Sequence, residues 1–284
     1  MKLEFVALPN NVGSEIRGLD PREIRGMEEV ALREAFLHNS VLLLRDAQLT
    51  PDSHLALTRI LGDPEIHPMA KARPGQHPEI IEPSYPAEDS EDPDAIVGHI
   101  PWHADQTYTQ RPPRGALLRA IEIPPEGGQT GFIDTAAVHE ALPASMKVEI
   151  EGLELVHRLA RAHRLLGLHH DDENARELAD RFPDIAHPLV RVDPTSGIRS
   201  LDISPMFADA VVGWPTDRSD ALLEDLRALS TQNRFVYWHD WKAGDLVIWN
   251  NYRTLHSAAG HKKRYVRTMN RTTIEGEVNG RRAA

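Results

Sequence analysis

The chain has 284 residues, of which 40% are hydrophobic and 26% are charged, as in an ordinary soluble globular protein. It contains no cysteine, which excludes disulfides, thiolate metal sites and cysteine nucleophiles. The net charge of −11 argues against a nucleic-acid partner, and no apolar run is long enough to span a membrane. The start, Met1 to Glu4, lacks the layout of a signal peptide, so we expect a cytoplasmic protein.

The first 65 residues predict a mixed α/β scaffold. Leu3 to Leu8 predicts a short strand, and Pro21 to His38 has helical spacing with acidic residues in its first part. Ser40 to Arg45 encloses a continuous apolar run, which is typical of a buried strand. The segment from Thr50 to Leu61 opens with an N-cap residue and a proline at the first helical position, which predicts a helix.

Two segments are interpreted as lids or inserts. Residues 68–98 hold six prolines and a cluster of acids, so they form either an ordinary solvated loop or an active-site lid. Their position directly before the strand of His103 favours a lid. The second insert spans about residues 157–185 and is rich in histidine. Its neighbouring His169 and His170 would point in different directions, which disfavours a metal site there.

The remaining elements alternate between helix and strand. Residues 115–133 predict strand, turn and strand, with a hairpin turn at Gly127-Gly128. Residues 134–185 predict mostly helix, residues 187–203 a β-hairpin, and Asp220 to Ser230 an amphipathic helix. The C-terminal part predicts three strands: Phe235 to Trp238, Leu246 to Trp249, and Tyr265 to Ile274.

The stretch Trp102-His103-Ala104-Asp105, read together with His256, carries the chemistry. In an extended strand, residues two apart point the same way, so His103 and Asp105 aim at one spot. With His256 as a second imidazole they make a 2-His-1-carboxylate facial triad. Such a triad holds non-heme Fe(II) and leaves three coordination positions open. The sequence therefore predicts an iron centre that serves an oxygen-using reaction inside a barrel.

The last predicted strand places Arg267 and Arg271 on one face. If that face is the interior of a barrel, an unpaired buried charge costs roughly 3–5 kcal/mol, which an anionic partner would remove. The planar fork of arginine suits bidentate binding of a carboxylate. An interior with a metal cation and two arginines would therefore accept acidic ligands. The alternative is that both arginines lie outside, in water.

These motifs resemble those of the taurine dioxygenase and 2,4-dichlorophenoxyacetate dioxygenase family of Fe(II)- and 2-oxoglutarate-dependent oxygenases. The similarity extends from Gly18-Leu19-Asp20 to Arg271. It implies a mainly β fold with α insertions: a double-stranded β-helix (jelly-roll, cupin-like) barrel flanked by helices, in one domain over residues 1–284. Homodimers and homotetramers are the usual assemblies of such proteins, and the sequence does not decide the oligomeric state of this chain.

The resemblance also implies roles for single residues. His103, Asp105 and His256 match the iron ligands, and the 2-oxoglutarate ligands match Thr130 and Arg267. The residues implied to bind substrate are His67, His99, Gln106, Phe207 and Arg271. For His67, anchoring of a loop is an equal alternative. The family commonly has Trp-Asp-Asn before the distal histidine, where this chain has Asn250 in place of the aspartate. That change would touch the groups that orient the ligands.

The implied cofactors are Fe(II), the cosubstrate 2-oxoglutarate and O2. The reaction would convert 2-oxoglutarate to succinate and CO2 and oxidise a small molecule that carries a carboxylate or sulfonate. Because Asp105 is present, hydroxylation is favoured over chlorination, and desaturation stays open. Two alternatives are a zinc hydrolase with the same three ligands and a non-catalytic barrel that binds a small acid. The hydrolase would need neither Thr130 nor Arg267.

Overall fold

The computed structural model describes residues 3–66, 77–87, 91–168 and 172–283. In these residues the strands are β1 Glu4–Ala7, β2 Ser14–Arg17, β3 Val41–Leu44, β4 Ser84–Tyr85, β5 Ile96–His103, β6 Gly115–Glu122, β7 Thr130–Asp134, β8 Glu154–His157, β9 Ile185–Pro188, β10 Val190–Val192, β11 Arg199–Leu201, β12 Ala208–Val211, β13 Val236–His239, β14 Leu246–Asn250, β15 Thr254–Lys262, β16 Arg267–Ile274 and β17 Arg281–Arg282. The α-helices are α1 Met27–His38, α2 Pro51–Leu61, α3 Thr135–Glu140, α4 Ala144–Ile150, α5 Leu159–Leu165, α6 Asp172–Arg181 and α7 Thr216–Ser230. Within the described ranges, no helix combines the length and the apolar character needed to cross a membrane.

Two sheets form the barrel. The larger has the order β1-β2-β3-β14-β6-β16-β4, and the smaller has the order β13-β7-β15-β5. Apart from the parallel pair β2 and β3, neighbouring strands in both sheets are antiparallel. Consecutive strands alternate between the sheets from β5 to β7 and again from β13 to β16. This is the connectivity of the expected double-stranded β-helix.

The apolar run around β3 is buried on both of its faces. Val41 and Leu43 point between the two sheets, where they belong to the same core cluster as Phe132 of β7. Leu42 and Leu44 point the other way and pack under α1 and α2. Because consecutive strand residues alternate in direction, burial on both faces requires an unbroken apolar sequence.

The first two helices differ in how well local sequence defines them. Helix α2 begins and ends where predicted, because Thr50 caps its first turn and Pro51 fills the first position. The helix predicted from Pro21 begins only at Met27, so its predicted start is wrong. Gly26 precedes it with φ of 59°, a left-handed conformation that glycine adopts without strain. That turn interrupts the helical spacing of the sequence.

The predicted hairpin at Gly127-Gly128 does not form. Strand β6 lies in the larger sheet and β7 in the smaller, so the connection crosses from one sheet to the other. Both glycines have positive φ, 75° and 76°, which the sharp turn requires. A hairpin prediction assumes that consecutive strands pair with each other, whereas β6 pairs with β14 and β16.

The segment 134–185, predicted to be mostly helical, contains α3 to α6 but also strand β8. This strand belongs to a third sheet with the order β12-β8-β9-β17. His157, the first residue of the second predicted insert, is fully buried in this sheet. His169 and His170 lie outside the described residues. The predicted hairpin over 187–203 forms between β10 and β11.

The proposed lid segment is only partly described. Within 68–98, residues 84–85 form β4, which pairs with β16, and residues 96–98 begin β5. Parts of the segment are therefore built into the two sheets, and its role as a lid stays a prediction.

Candidate active site

The sheet register brings two of the predicted ligands together. His103 ends β5 and lies opposite His256 of the neighbouring β15, with ring centroids 4.1 Å apart. Asp105 follows shortly after β5, and its Oδ1 lies 3.7 Å from Nε2 of His103 and 3.6 Å from Nε2 of His256. All three residues are buried, and one potential ligand atom of each lies within 4.8 Å of the others. The geometry is that of a compact metal site.

The protonation states fit a divalent metal. Nδ1 of His103 lies 2.8 Å from the Pro101 carbonyl, which can only accept, so Nδ1 carries the hydrogen and Nε2 presents a lone pair. Burial lowers the pKa of His103 to about 3, which keeps its imidazole neutral. Burial raises the pKa of Asp105, but Arg271 and the two imidazoles outweigh it and hold that pKa well below 3.8. Nitrogen donors beside an ionised carboxylate are the donor set of a non-heme iron site.

Asn251, in the turn between β14 and β15, holds the backbone of Asp105. Its Oδ1 accepts from the Asp105 N–H at 2.8 Å, and its Nδ2 donates to the Asp105 carbonyl at 3.1 Å. The same Nδ2 donates to the Pro113 carbonyl at 3.0 Å. Sequence reasoning missed this residue, although its position between two strands of the barrel, close to the distal histidine, was a usable signal.

The neighbouring Asn250 does not contact the three predicted ligands. It is buried, its Nδ2 donates to the Phe36 carbonyl, and its Oδ1 accepts from the Tyr252 N–H. Its contacts are to α1 and to the turn that carries Asn251, so its effect on the groups that orient the ligands stays a prediction.

Arg267 is a buried cation without an anionic partner in the described part of the chain. It begins β16 and is 8% exposed, and its Nε has no hydrogen-bond partner there. Burial lowers its pKa, an effect opposed by Tyr85. A Cβ placed on Gly128 would lie 3.5 Å from Nε of Arg267, so the turn that leads to Thr130 runs beside the guanidinium. An acidic ligand at this position would satisfy the charge.

Arg271, four residues further along β16, is already paired. Its Nη2 donates to Oδ2 of Asp105 at 2.5 Å, and its guanidinium carbon lies 5.0 Å from the ring centroid of Trp249. The Trp249 ring also lies 5.0 Å from the His256 ring. Both arginines of the strand therefore point into the barrel, the first of the two alternatives for that face.

Besides Arg271, two of the predicted substrate residues lie beside the triad. The Phe207 ring is 6.5 Å from the His103 ring and 5.0 Å from the Tyr108 ring, so it forms an aromatic wall. Gln106 directly follows Asp105, is buried and has φ of 50°. It also lines a cavity of about 340 Å³. His67 lies outside the described residues, and its role stays a prediction.

His99 does not reach the site, so its placement beside the metal was wrong. It is exposed, and a bulge in β5 explains why. His103 lies opposite His256, but the next pair along the strands is Ile100 with Ala258. Two residues of β5 thus lie opposite a single residue of β15, which shifts the alternation by one. Ile100, rather than His99, shares the face of His103.

Comparisons with known proteins agree with this site. The "Taurine catabolism dioxygenase TauD, TfdA family" matches residues 4–273. The chain is 32% identical over 275 residues to the alpha-ketoglutarate-dependent 2,4-dichlorophenoxyacetate dioxygenase of Cupriavidus pinatubonensis, an alignment that covers 93% of this chain and 94% of that protein. The alpha-ketoglutarate-dependent sulfate ester dioxygenase of Pseudomonas putida is 27% identical, with 98% of this chain and 91% of the relative covered. The crystal structure of AAD-2 in complex with Mn(II) and N-oxalylglycine superposes with a TM-score of 0.83 at 27% identity, covering 98% and 99% of the two chains.

The chain therefore belongs to the TauD, TfdA family. It is a 2-oxoglutarate-dependent dioxygenase with a jelly-roll barrel, which confirms the predicted family, fold class and reaction class. The expected cofactors, Fe(II), 2-oxoglutarate and O2, are confirmed with that class.

Proposed function

We propose that His103, Asp105 and His256 bind Fe(II) and that Thr130 and Arg267 bind the distal carboxylate of 2-oxoglutarate. The observation that carries the proposal is the convergence of two Nε2 atoms and one carboxylate oxygen in a buried site. The buried, unpaired Arg267 supports the second half, because an anionic ligand would compensate its charge. A zinc hydrolase would have no use for that cation.

Bound iron and 2-oxoglutarate would supply the oxidising chemistry, with succinate and CO2 as products of the cosubstrate. The chain's own contribution is to orient and to exclude water. The Pro101 carbonyl fixes the tautomer of His103, and Asn251 fixes the backbone of Asp105. Burial keeps His103 neutral by lowering its pKa, and Arg271 with the two imidazoles keeps Asp105 ionised by lowering the pKa of that carboxyl. Arg267 then sets the direction from which the cosubstrate enters the metal site.

On the substrate side, we infer a small organic acid with an apolar or aryl body. Arg271 holds Asp105 through Nη2, while its Nε has no partner among the described residues. The same guanidinium can therefore donate to an acidic group of the substrate. Tyr108 and Phe207 are buried and provide an apolar surface beside His103. The relatives named for phenoxyacetate and phenoxypropionate substrates agree with this class.

Anaerobic spectroscopy tests the metal and cosubstrate assignment. Addition of Fe(II) and 2-oxoglutarate should produce the weak visible charge-transfer band of the chelate. His256→Ala should abolish the band, whereas His38→Ala, which changes an exposed histidine of α1, should retain it. A wild-type protein without the band, or a His256→Ala variant that keeps it, would contradict the proposal.

Turnover tests the substrate class. A panel of aryloxy acids, sulfonates and amino-acid derivatives would be screened for succinate formation above the uncoupled rate. We expect stimulation by acids with an apolar body and none by their neutral amides. Equal stimulation by an acid and its amide would contradict the proposal that Arg271 recognises the acidic group of the substrate.

A further inference from the structure

Among the described residues, the indole of Trp241 makes one polar contact, and that contact is with Thr130. Its Nε1 donates to Oγ1 of Thr130 at 2.9 Å, and both residues are buried. Trp241 follows β13, while Thr130 begins β7, the strand that pairs with β13. A buried indole needs an acceptor for its N–H, and the acceptor here is a side chain proposed to bind the cosubstrate.

The chemistry of the two groups decides how the Thr130 hydroxyl is oriented. An indole N–H can only donate, whereas a hydroxyl has one hydrogen and two lone pairs. Since Trp241 occupies a lone pair of Oγ1, the Thr130 hydrogen must point elsewhere. Among the described residues, Oγ1 of Thr130 has no hydrogen-bond partner other than Trp241. The hydroxyl is thus presented as a donor, which is what a carboxylate, an acceptor-only group, requires.

The surroundings of Trp241 hold the indole in one orientation. Its ring meets the edge of His239, with centroids 4.5 Å apart. Nδ1 of His239 lies 2.7 Å from the Tyr237 hydroxyl, and Nε2 lies 3.2 Å from Oδ2 of Asp245. Asp245 in turn pairs with Arg45 at 2.5 Å. The hydrogen bond with Tyr237 and the close approach of Asp245 therefore hold His239, and His239 packs edge-on against the indole.

We propose that Trp241 is a positioning residue for the cosubstrate: it acts through Thr130, turning that hydroxyl into a fixed donor for the distal carboxylate of 2-oxoglutarate. This inference rests on the proposed function, in which Thr130 binds that carboxylate. Loss of the indole N–H leaves the hydroxyl free to rotate, and a hydrogen bond of this kind corresponds to a roughly 3- to 10-fold change in affinity.

A double-mutant cycle on cosubstrate binding tests the inference. The dissociation constant of 2-oxoglutarate is measured anaerobically with Fe(II), from the charge-transfer band, for wild type, Trp241→Phe, Thr130→Val and the double variant. Trp241→Phe should weaken binding about 3- to 10-fold in the wild-type background and hardly at all beside Thr130→Val. Trp238→Phe, the same change at an exposed position of β13, is the matched control and should leave binding unchanged.

The ligand supplies a second comparison. Binding of 2-oxopentanoate, which keeps the 2-oxo acid and the chain length but lacks the distal carboxylate, should be insensitive to Trp241→Phe. A merely structural role for Trp241 would weaken both ligands equally and would persist in the Thr130→Val background. Either result would overturn the inference while leaving the proposed function intact, whereas a wild-type protein without the band would contradict the proposed function itself.

A further variant separates the effect of the Trp241 ring shape from the effect of its N–H. Incorporation of 3-benzothienylalanine at position 241 keeps the bicyclic ring and removes only the N–H. It should reproduce the loss of 2-oxoglutarate affinity with an unchanged melting temperature, even if Trp241→Phe folds poorly. Wild-type affinity in this variant would also overturn the inference.

Discussion

Arg267 and Arg271 lie four residues apart on one strand and point into the same barrel, yet their surroundings are opposite. Arg271 is paired with Asp105 and packs over Trp249. Arg267 is more deeply buried than Arg271 and has no anionic partner among the described residues. Folding alone gains nothing from a second, uncompensated cation. The difference agrees with the proposal that Arg271 supports Asp105 as well as the substrate, whereas Arg267 binds the cosubstrate.

Stability should separate the two arginines most strongly. In the ligand-free, metal-free protein, Arg271→Met leaves Asp105 without its guanidinium and should lower the free energy of unfolding by about 3–5 kcal/mol. Arg267→Met removes an unpaired buried charge and should leave that free energy unchanged or raise it by about 1 kcal/mol. Urea unfolding measures both. A similar loss of unfolding free energy in both variants would contradict the proposed difference between the two arginines.

For cosubstrate affinity, we expect the opposite ranking, with the larger effect at Arg267. Arg267→Met should weaken 2-oxoglutarate binding about 100-fold, since truncating one partner of a buried charged hydrogen bond costs roughly 2–5 kcal/mol. Arg271→Met should change that affinity much less and mainly raise the KM of the acidic substrate. Arg264→Met, at an exposed arginine, is the control for anaerobic titrations. If only Arg271→Met lost affinity for 2-oxoglutarate, Arg271 rather than Arg267 would be the residue that binds the cosubstrate.

The hydrogen bonds from Asn251 to the Asp105 backbone should have a smaller effect, confined to metal binding. Asn251→Ala removes both hydrogen bonds to the Asp105 backbone and should weaken Fe(II) binding about 10- to 100-fold, the usual range for groups that orient metal ligands. The adjacent Asn250→Ala should leave Fe(II) affinity within about threefold, because its contacts are to Phe36 and its own turn. Metal titration of both variants makes the comparison, and equal losses would remove the role of Asn251.

A fourth effect is the loss of stability in acid. Burial lowers the pKa of His54 to about 4 and that of His157 to about 3, from an ordinary value of 6.5. Below pH 6.5 the unfolded chain therefore binds protons that the folded protein does not, so stability falls as the pH drops toward 4. Each imidazole contributes roughly 1.4 kcal/mol per pH unit.

This pH dependence can be assigned to single side chains. Free energies of unfolding measured between pH 7 and pH 4.5 should fall less steeply for His54→Gln than for wild type. His38→Gln, at an exposed position, should follow the wild-type slope. Identical slopes for the two variants would show that buried imidazoles do not cause the loss. The Arg271–Asp105 pair should persist over this range, since the pKa of Asp105 lies well below 3.8.

Local chemistry explains what the sequence could predict. Thr50 and Pro51 define the start of α2 without help from the rest of the chain, and the double burial of β3 is visible as an unbroken apolar run. The convergence of His103 and Asp105 follows from their short spacing, because His103 ends β5 and Asp105 lies two residues later in the turn that follows.

What the sequence could not predict depends on distant partners. The bulge that turns His99 outward is seen only in the pairing of β5 with β15, although Pro101 within β5 was a signal of such an irregularity. Strand β8 has an unremarkable local sequence and forms because β9 and β12 flank it. Asn251 and Trp241 gain their roles from contacts across the barrel with residues more than 100 positions away. Pattern reasoning has no access to such pairings.

A crystal structure of the protein with Mn(II) and N-oxalylglycine would test the assignment of the two arginines most directly. The account predicts the metal on His103, Asp105 and His256, with the distal carboxylate of the inhibitor within hydrogen-bond distance of Arg267 and the Thr130 hydroxyl. A metal bound elsewhere, or that carboxylate on Arg271 with Arg267 still unpaired, would contradict it.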